Sequence, residues 1–296
     1  MKCFYHSADL DGHCSGAIIK REFPQCEMIG INYGQEFPWD KIEDGEAVCM
    51  VDFTLQPFEQ MERLNSMCNL VWIDHHKTEV EEARNRGVNI QGIQRVGIGA
   101  CALVWEWLQG HECAVIEPMP EAVRLLAEYD VWNHSDPKAL PFQYGFRMFE
   151  NTWPDSVIWG KFLCPGIYPQ NLAIDEVVRI GEQILKYEAS QNEKFCRAYS
   201  FDTQFYAQVD ISVKPLTAIV CNRGFTNSKV FESVWDPEKY DLMVTFCRLK
   251  PPAHKWTVSL YSDKPEIDCG AIARKFGGGG HKGAAGFQCA ELPFEI

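Results

Sequence analysis

Asp74, His75 and His76 close the short apolar run Val71-Trp72-Ile73 and are followed by a dense set of charges, Lys77, Glu79, Glu81 and Glu82. A carboxylate beside two imidazoles has the donor types that hold a divalent cation or move a proton. A solvated loop would carry the same residues, and a short motif on its own decides nothing. Three other places hold carboxylates in comparable settings. Asp9 and Asp11 stand two apart in what reads as an extended acidic turn before Gly12, so they can face neighbouring metals or one metal from two sides. Asp-Gly is also the commonest of turn signals. Asp52 ends a second apolar run, Ala47-Val48-Cys49-Met50-Val51. Asp130 lies among aromatics at the end of a helical stretch, where a lone aspartate is ordinarily a cap, and its case rests on the other three.

Near the carboxyl end the residues change character. Gly277-Gly278-Gly279-Gly280-His281-Lys282-Gly283-Ala284-Ala285-Gly286-Phe287 puts four successive glycines before a histidine and a lysine. Such a run exposes backbone N–H groups and can form an anion-binding nest. Ala284 and Ala285 are expected to start a helix whose positive end faces the same anion. A flexible linker is the weaker reading, since linkers seldom embed His and Lys in a continuing apolar pattern. The small residues Gly97 to Ala100 open a helix through Trp105, where either a phosphate or tight helix packing would use them. Arg147 is a candidate phosphate ligand or, more ordinarily, a salt-bridge partner.

The elements that position these residues follow from periodicity. Strand, acidic tip and helix repeat three times in the first 85 residues: Cys3–His6 and a helix from Cys14 to Glu22, Ala47–Val51 and a helix from Pro57 to Asn69, then Val71–Ile73. That alternation predicts βαβ units, a parallel sheet, and strand tips converging on one edge, where open α/β sheets bind ligands. Glu121 to Glu128 reads as a helix, and Asn133 to Gln170 shows no clear period. Ile174 to Tyr199 reads as one amphipathic helix, with Ile174, Val177, Val178, Ile184 and Leu185 on one face. Strands are expected at Leu216–Cys221, Leu242–Cys247 and Trp256–Tyr261, with a helix from Cys269 to Phe276. The predicted fold is α/β: a parallel-sheet domain with flanking helices (residues 1–173), a connector helix (174–200) and a smaller α/β domain (201–296).

Composition narrows the chemistry. The 296 residues are 46% apolar, enough for two cored domains, and no run approaches the 18 or so apolar residues of a membrane span. The amino terminus runs directly into a strand without a secretory pattern, so a cytoplasmic protein with no membrane partner is expected. The 13 cysteines include no C-x-x-C pair, and many sit in apolar runs as small hydrophobes. The net charge of −13 would repel a long nucleic-acid track, which basic surfaces ordinarily bind, but suits a short phosphorylated substrate at a cation-filled site. Solubility alone would also explain the charge. Neither a G-x-S-x-G elbow nor a G-x-x-x-x-G-K-[ST] loop is present.

In order and interval, Asp9-x-Asp11-Gly12, Asp52, Asp74-His75-His76 and Asp130 resemble the four motifs of the DHH phosphoesterases. Gly277–Phe287 is similar to the signature of their associated C-terminal substrate-binding domain, so the resemblance spans nearly the whole chain. It implies a two-manganese site on His6, Asp9, Asp11, Asp52, His75 and Asp130, with Asp52 bridging. Asp74 would orient a neighbouring imidazole, and His76 would point at the substrate phosphate. His281 and the glycine N–H groups, Gly278, Gly279 and Gly280 among them, would hold a terminal phosphate or nucleotide. Two departures stand out. His6 and Asp9 are three positions apart where four separate that histidine from the first aspartate in the commoner motif, which leaves water as an alternative ligand. Tyr261, in Ser259-Leu260-Tyr261-Ser262, stands where related short-RNA nucleases carry arginine, so that one phosphate contact is either lost or supplied by Arg274, Lys282 or Arg248.

Carboxylate and imidazole ligands suit Mn²⁺, with Mg²⁺ or Co²⁺ as alternatives. Two such ions roughly 3.5–4 Å apart lower the pKa of a shared water and clamp the oxygens of an in-line displacement. The resemblance therefore implies a metal-dependent hydrolase of short oligonucleotides that releases nucleoside monophosphates as an exonuclease, with a homodimer allowed. Alternatives are a cyclic-dinucleotide or 3′,5′-bisphosphate phosphoesterase, a RecJ-like single-strand exonuclease, and a nucleotide-binding protein without turnover.

Overall fold

A computed structural model describes residues 1–110, 117–133, 135–164, 170–207 and 214–296. Of the stretch without clear period, positions 134 and 165–169 lie outside the described residues. The chain divides into two units, Met1–Leu185 and Lys186–Ile296.

In the first unit the short apolar runs become β1 (Lys2–His6), β3 (Ala47–Val51) and β4 (Asn69–Asp74). They lie between two edge strands, β2 (Glu27–Ile31) and β5 (Gln91–Gln94), in the order β2-β1-β3-β4-β5. Every pairing is parallel. The helices α1 (Leu10–Glu22), α2 (Glu59–Met67) and α3 (Lys77–Arg86) connect the strands. The two-residue period sends Cys3, Tyr5, Cys49, Val51 and Ile73 to one face. There they pack with α1, α4 (Ala100–Gln109), α5 (Glu121–Asp130), α6 (Ala139–Phe146) and α7 (Trp159–Leu163). Phe4, Val48, Met50, Leu70 and Trp72 face the other way, onto Met61 and Leu64 of α2 and Ala83 of α3. Burial on both faces is why the central strands read as nearly continuous apolar runs. All five strands point the same way, so the residues leaving β1, β3 and β4 gather at one edge.

The edge strands are not marked in the sequence. Glu27-Met28-Ile29-Gly30-Ile31 and Gln91-Gly92-Ile93-Gln94 are each broken by a glycine and bury only Ile31 fully, because an edge strand leaves part of its surface uncovered. The first acidic turn is also different from its expected form. Helix α1 begins at Leu10, with Asp9 as its N-cap in an extended conformation, so Asp11 and Gly12 lie in the first helical turn.

Helix α8 (Gln170–Tyr199) places Ile174, Val177 and Val178 in the first unit's core, and its last turns place Cys196 in a cluster of the second. The second unit contains β6 (Ser200–Phe205), β7 (Leu216–Asn222), β8 (Leu242–Arg248), β9 (Trp256–Tyr261), α9 (Cys269–Lys275), β10 (Gly279–Gly280) and β11 (Ala284–Cys289). The strands form a mixed sheet in the order β10-β11-β9-β8-β7-β6, with β7 and β8 parallel. Val220, Val244, Leu260 and Phe287 pack under Ile272 and Ala273 of α9.

Ala284 and Ala285 thus open a strand and not the expected helix. Tyr261 through Trp256 of β9 offer that segment a partner at every position, and Phe287 enters the core. Among the described residues, no helix is long and apolar enough to cross a membrane.

Candidate metal centre

His6, Asp52 and Asp74 stand at or just past the carboxyl ends of β1, β3 and β4, so sheet register alone brings them to one edge. His75 and His76 follow Asp74. Asp9 and Asp11 enter from α1, whose close seating on β1 depends on Gly12: a Cβ there would lie 2.0 Å from the His6 carbonyl oxygen. Asp130 is the last residue of α5. Asp52 adopts φ 55°, a left-handed conformation uncommon outside glycine. Aspartate tolerates it better than most residues, and such outliers cluster at functional sites.

These side chains form two groups that meet at Asp52. His6 Nδ1 lies 3.0 Å from Asp9 Oδ2 and 3.6 Å from Asp52 Oδ2. His75 Nε2 lies 3.3 Å from Asp52 Oδ1, 3.1 Å from Asp130 Oδ2 and 3.8 Å from Asp11 Oδ2. In each of the sets His6–Asp9–Asp52 and Asp11–His75–Asp130, the potential donor atoms lie within 4.8 Å of one another. All six residues that the resemblance assigns as metal ligands therefore converge, His6 included.

Asp11 and Asp52 are almost completely buried, as is His75. Burial and the neighbouring Asp52 charge push the Asp11 carboxyl up to about 6. Burial, then Asp11 and Asp52, raise Asp130 well above its ordinary value. The imidazoles move the other way: against the opposing effect of burial, the surrounding carboxylates raise His75 to about 9 and His6 to about 10. Asp9 is lowered, because His6 and the Gly12 N–H outweigh its burial.

Carboxylates crowded out of water are unfavourable unless paired or metal-bound. Both Asp52 oxygens, His6 Nδ1 and His75 Nε2 are buried without a hydrogen-bond partner. Orphaned polar atoms of this kind call for a ligand, and carboxylate and imidazole groups in two facing sets suit a pair of divalent cations.

Around this core lies a layer of positioning contacts. Asp74 is fully buried; its Oδ1 accepts from the backbone N–H of His75 (2.7 Å) and His76 (3.1 Å) and lies 2.7 Å from His76 Nδ1. Its Oδ2 accepts from the Thr54 hydroxyl and from Trp72 Nε1. Burial opposes its ionisation, but the His76 charge and these donors hold it well below the usual carboxylate range. Asp74 in turn raises His76 to about 11 despite that residue's own burial. His6 Nε2 lies 3.3 Å from Asn32 Oδ1, and Asp11 accepts the Ala100 and Cys101 N–H groups at the start of α4, at 2.6 and 2.8 Å. The α4 N-terminus is thus occupied by a carboxylate of the chain itself. Tight packing explains Gly99, where a Cβ would lie 2.6 Å from Ala127 Cα.

Thr54, Trp72 and Asn32 carry no spacing signal that marks them as site residues. Arg147 has stacking partners where a salt bridge was the ordinary expectation: its guanidinium lies 5.6 and 5.3 Å from the Tyr129 and Tyr144 rings.

In the second unit, Gly278, Gly279, Gly280, His281, Arg274 and Lys282 fall on one α9–hairpin segment. Gly277, at φ 75°, ends the helix: its N–H donates to Arg274 O and that of Gly278 to Ala273 O, the Schellman pattern. Two of the four glycine N–H groups are therefore committed to helix carbonyls, which corrects the expectation of a four-glycine nest. Gly280 is required for a different reason, with φ 136° and a hypothetical Cβ only 2.6 Å from Ala285 Cα. The hairpin closes with the His281 N–H donating to Ala284 O at 2.8 Å. Arg274, His281 and Lys282 are exposed. Tyr261 donates through its hydroxyl to Thr226 O, and Arg248 lies over Trp256.

No family model matches the chain. An uncharacterized protein of Acanthamoeba polyphaga mimivirus is 25% identical over 283 residues, covering 89% of this chain. The match covers 58% of that protein, so the chain spans little more than half the length of this curated relative. Among solved structures, the DHH domain of a protein described as a member of a ribosomal-protein family superposes with a TM-score of 0.54 at 12% identity, over 96% of this chain and 81% of the other. A pGpG-specific phosphodiesterase, PggH, from Vibrio cholerae gives 0.47 at 13% identity, over 98% and 93%. The first superposition establishes that the chain has the DHH fold.

Proposed function

We propose that the chain is a metal-dependent phosphodiester hydrolase acting on short oligonucleotides and releasing nucleoside monophosphates. The observation that carries this reading is Asp52, whose two unpartnered oxygens face separate donor sets. His6 and Asp9 would hold one cation, Asp11, His75 and Asp130 the other, and Asp52 both. When bound, such a pair, Mn²⁺ foremost, supplies Lewis-acid stabilisation and an activated water.

The chain's own groups orient and charge the site. Asp74 fixes the His76 ring through Nδ1 and keeps it protonated, so His76 donates to a non-bridging oxygen of the reacting phosphate, where negative charge gathers. Asp11, gripped by two backbone N–H groups, keeps its carboxylate in place without a mobile partner. Taken by itself, the second unit offers Gly279, Gly280, His281, Arg274 and Lys282 as candidate phosphate or nucleotide contacts. The net charge of −13 favours a short substrate, because a long strand would be repelled by the surface beyond the site.

The test is hydrolysis of a dinucleotide, a long single strand, a cyclic dinucleotide and a nucleoside 3′,5′-bisphosphate, with Mn²⁺ and with chelator. Chelator-sensitive cleavage of the dinucleotide that Asp52→Ala abolishes supports the reading. Equal rates on the long strand contradict the short-substrate argument, and no cleavage of any of them contradicts the hydrolase.

A further inference from the structure

Against Asp9 lies a pocket of about 340 Å³, bounded also by Leu10, His13, Gln143, Arg147 and Phe149. That volume is at the lower end of small-molecule sites. Two of its features have no use in the fold or in the centre described above. Gln143 is 4% exposed, and its Oε1 has no hydrogen-bond partner. A buried carbonyl left in that state calls for a donor that arrives with a ligand. Arg147 Nη2 donates to the Tyr129 hydroxyl at 3.3 Å and its guanidinium lies over two tyrosine rings, so among the described residues it is held by aromatic groups and no carboxylate neutralises it. In a chain of net charge −13, an arginine held this way keeps its bidentate donors for an incoming anion.

His13 completes the wall: Nε2 lies 3.2 Å from the Ser7 carbonyl and Nδ1 2.9 Å from the Thr152 hydroxyl. Since a carbonyl only accepts, Nε2 carries a hydrogen. Trp153 packs on the same ring, with centroids 4.9 Å apart. The pocket is continuous with the metal centre through Asp9, which lines the one and belongs to the other.

We propose that this pocket is a subsite for a second phosphate of the substrate, one nucleotide unit from the phosphate at the Asp52 centre. Arg147 pairs with that phosphate, and Gln143 Oε1 accepts a hydroxyl of the attached sugar. The subsite deepens the phosphoesterase reading and rests on it. It makes the preferred substrate a terminally phosphorylated dinucleotide or a bisphosphate in place of a plain diester.

The experiment compares kcat/KM, with saturating Mn²⁺, for a plain dinucleotide and for the same dinucleotide carrying a 5′-phosphate or a 3′-phosphate. Wild-type protein is expected to prefer one phosphorylated form by roughly 10- to 100-fold, the range of a charge-assisted pair. Arg147→Gln should bring that ratio close to unity, with the loss mainly in KM, and Arg147→Lys should restore part of it. Arg147 is exposed, and matching thermal melts would show that the variants fold. A wild-type ratio near unity, or a preference that Arg147→Gln leaves intact, overturns the subsite while the hydrolase reading stands. A wild-type protein that binds manganese and cleaves none of the three overturns both.

Discussion

Asp52 Oδ1 stands 3.3 Å from His75 Nε2, and neither atom has a hydrogen-bond partner. A carboxylate and an imidazole this close, both buried, would ordinarily rotate into a hydrogen bond. Here His75 Nε2 is instead central to three carboxylates, and the other Asp52 oxygen faces His6. The arrangement makes sense as a set of ligands.

Replacing Asp52 by asparagine keeps the shape and removes the charge shared by the two donor sets. Loss of an orienting contact outside a metal's ligands typically costs 10- to 100-fold, so loss of the shared ligand should cost more than about 100-fold in activity. Steady-state kinetics together with metal content per chain measure this; retained turnover with full metal loading would contradict it.

Asp74→Asn should behave differently. The residue has five donors from four residues and touches none of the proposed metal positions, so metal content should persist while kcat falls by about 10- to 100-fold as His76 loses its anchor and its charge. The measurement is kcat alongside metal analysis. A parallel loss of both would assign Asp74 a structural role.

Metal affinity should rise with pH. Without metal, Asp11 titrates near 6, His75 near 9 and His6 near 10, and each must lose its proton to coordinate. Lower pH keeps these protons on and weakens binding. Raising pH from about 6 toward 9 should tighten it by about one decade per unit for each proton released. Calorimetry in buffers of different ionisation enthalpy counts those protons. Affinity that is flat between pH 6 and 8 would contradict the account.

Gly12→Ala tests how α1 is seated. The added methyl would meet the His6 carbonyl oxygen at 2.0 Å, and backbone on both sides leaves no flexible side chain to yield. Overpacking of this kind costs about 1–3 kcal/mol, and the variant should also lose metal affinity because Asp9, Asp11 and His6 flank the contact. Urea unfolding and manganese titration read the two effects.

Much of this is legible in the sequence. The central strands β1, β3 and β4 announce themselves because burial on both faces demands apolar runs, and their polar tips follow from parallel topology. Edge strands β2 and β5 escape notice, since partly exposed residues need no such pattern. The Asp9–Gly12 stretch reads as an extended turn because Asp-Gly is usually one. The decisive fact, that Asp9 caps α1, lies in how α1 packs on β1. The glycine run misleads similarly. Schellman capping at Gly277 and close strand packing at Gly280 need glycine as much as a nest does, and Ala284 and Ala285 form a strand because β9 offers them a pairing edge. Thr54, Trp72 and Asn32 meet the site only through tertiary contact.

The most direct test of the central claim is electron paramagnetic resonance of the manganese-loaded chain, with the metal counted per chain. The account predicts two ions per chain and a spin-coupled spectrum that collapses to an isolated-ion signal in Asp52→Asn. One ion per chain, with an isolated-ion signal that Asp52→Asn leaves unchanged, would contradict it.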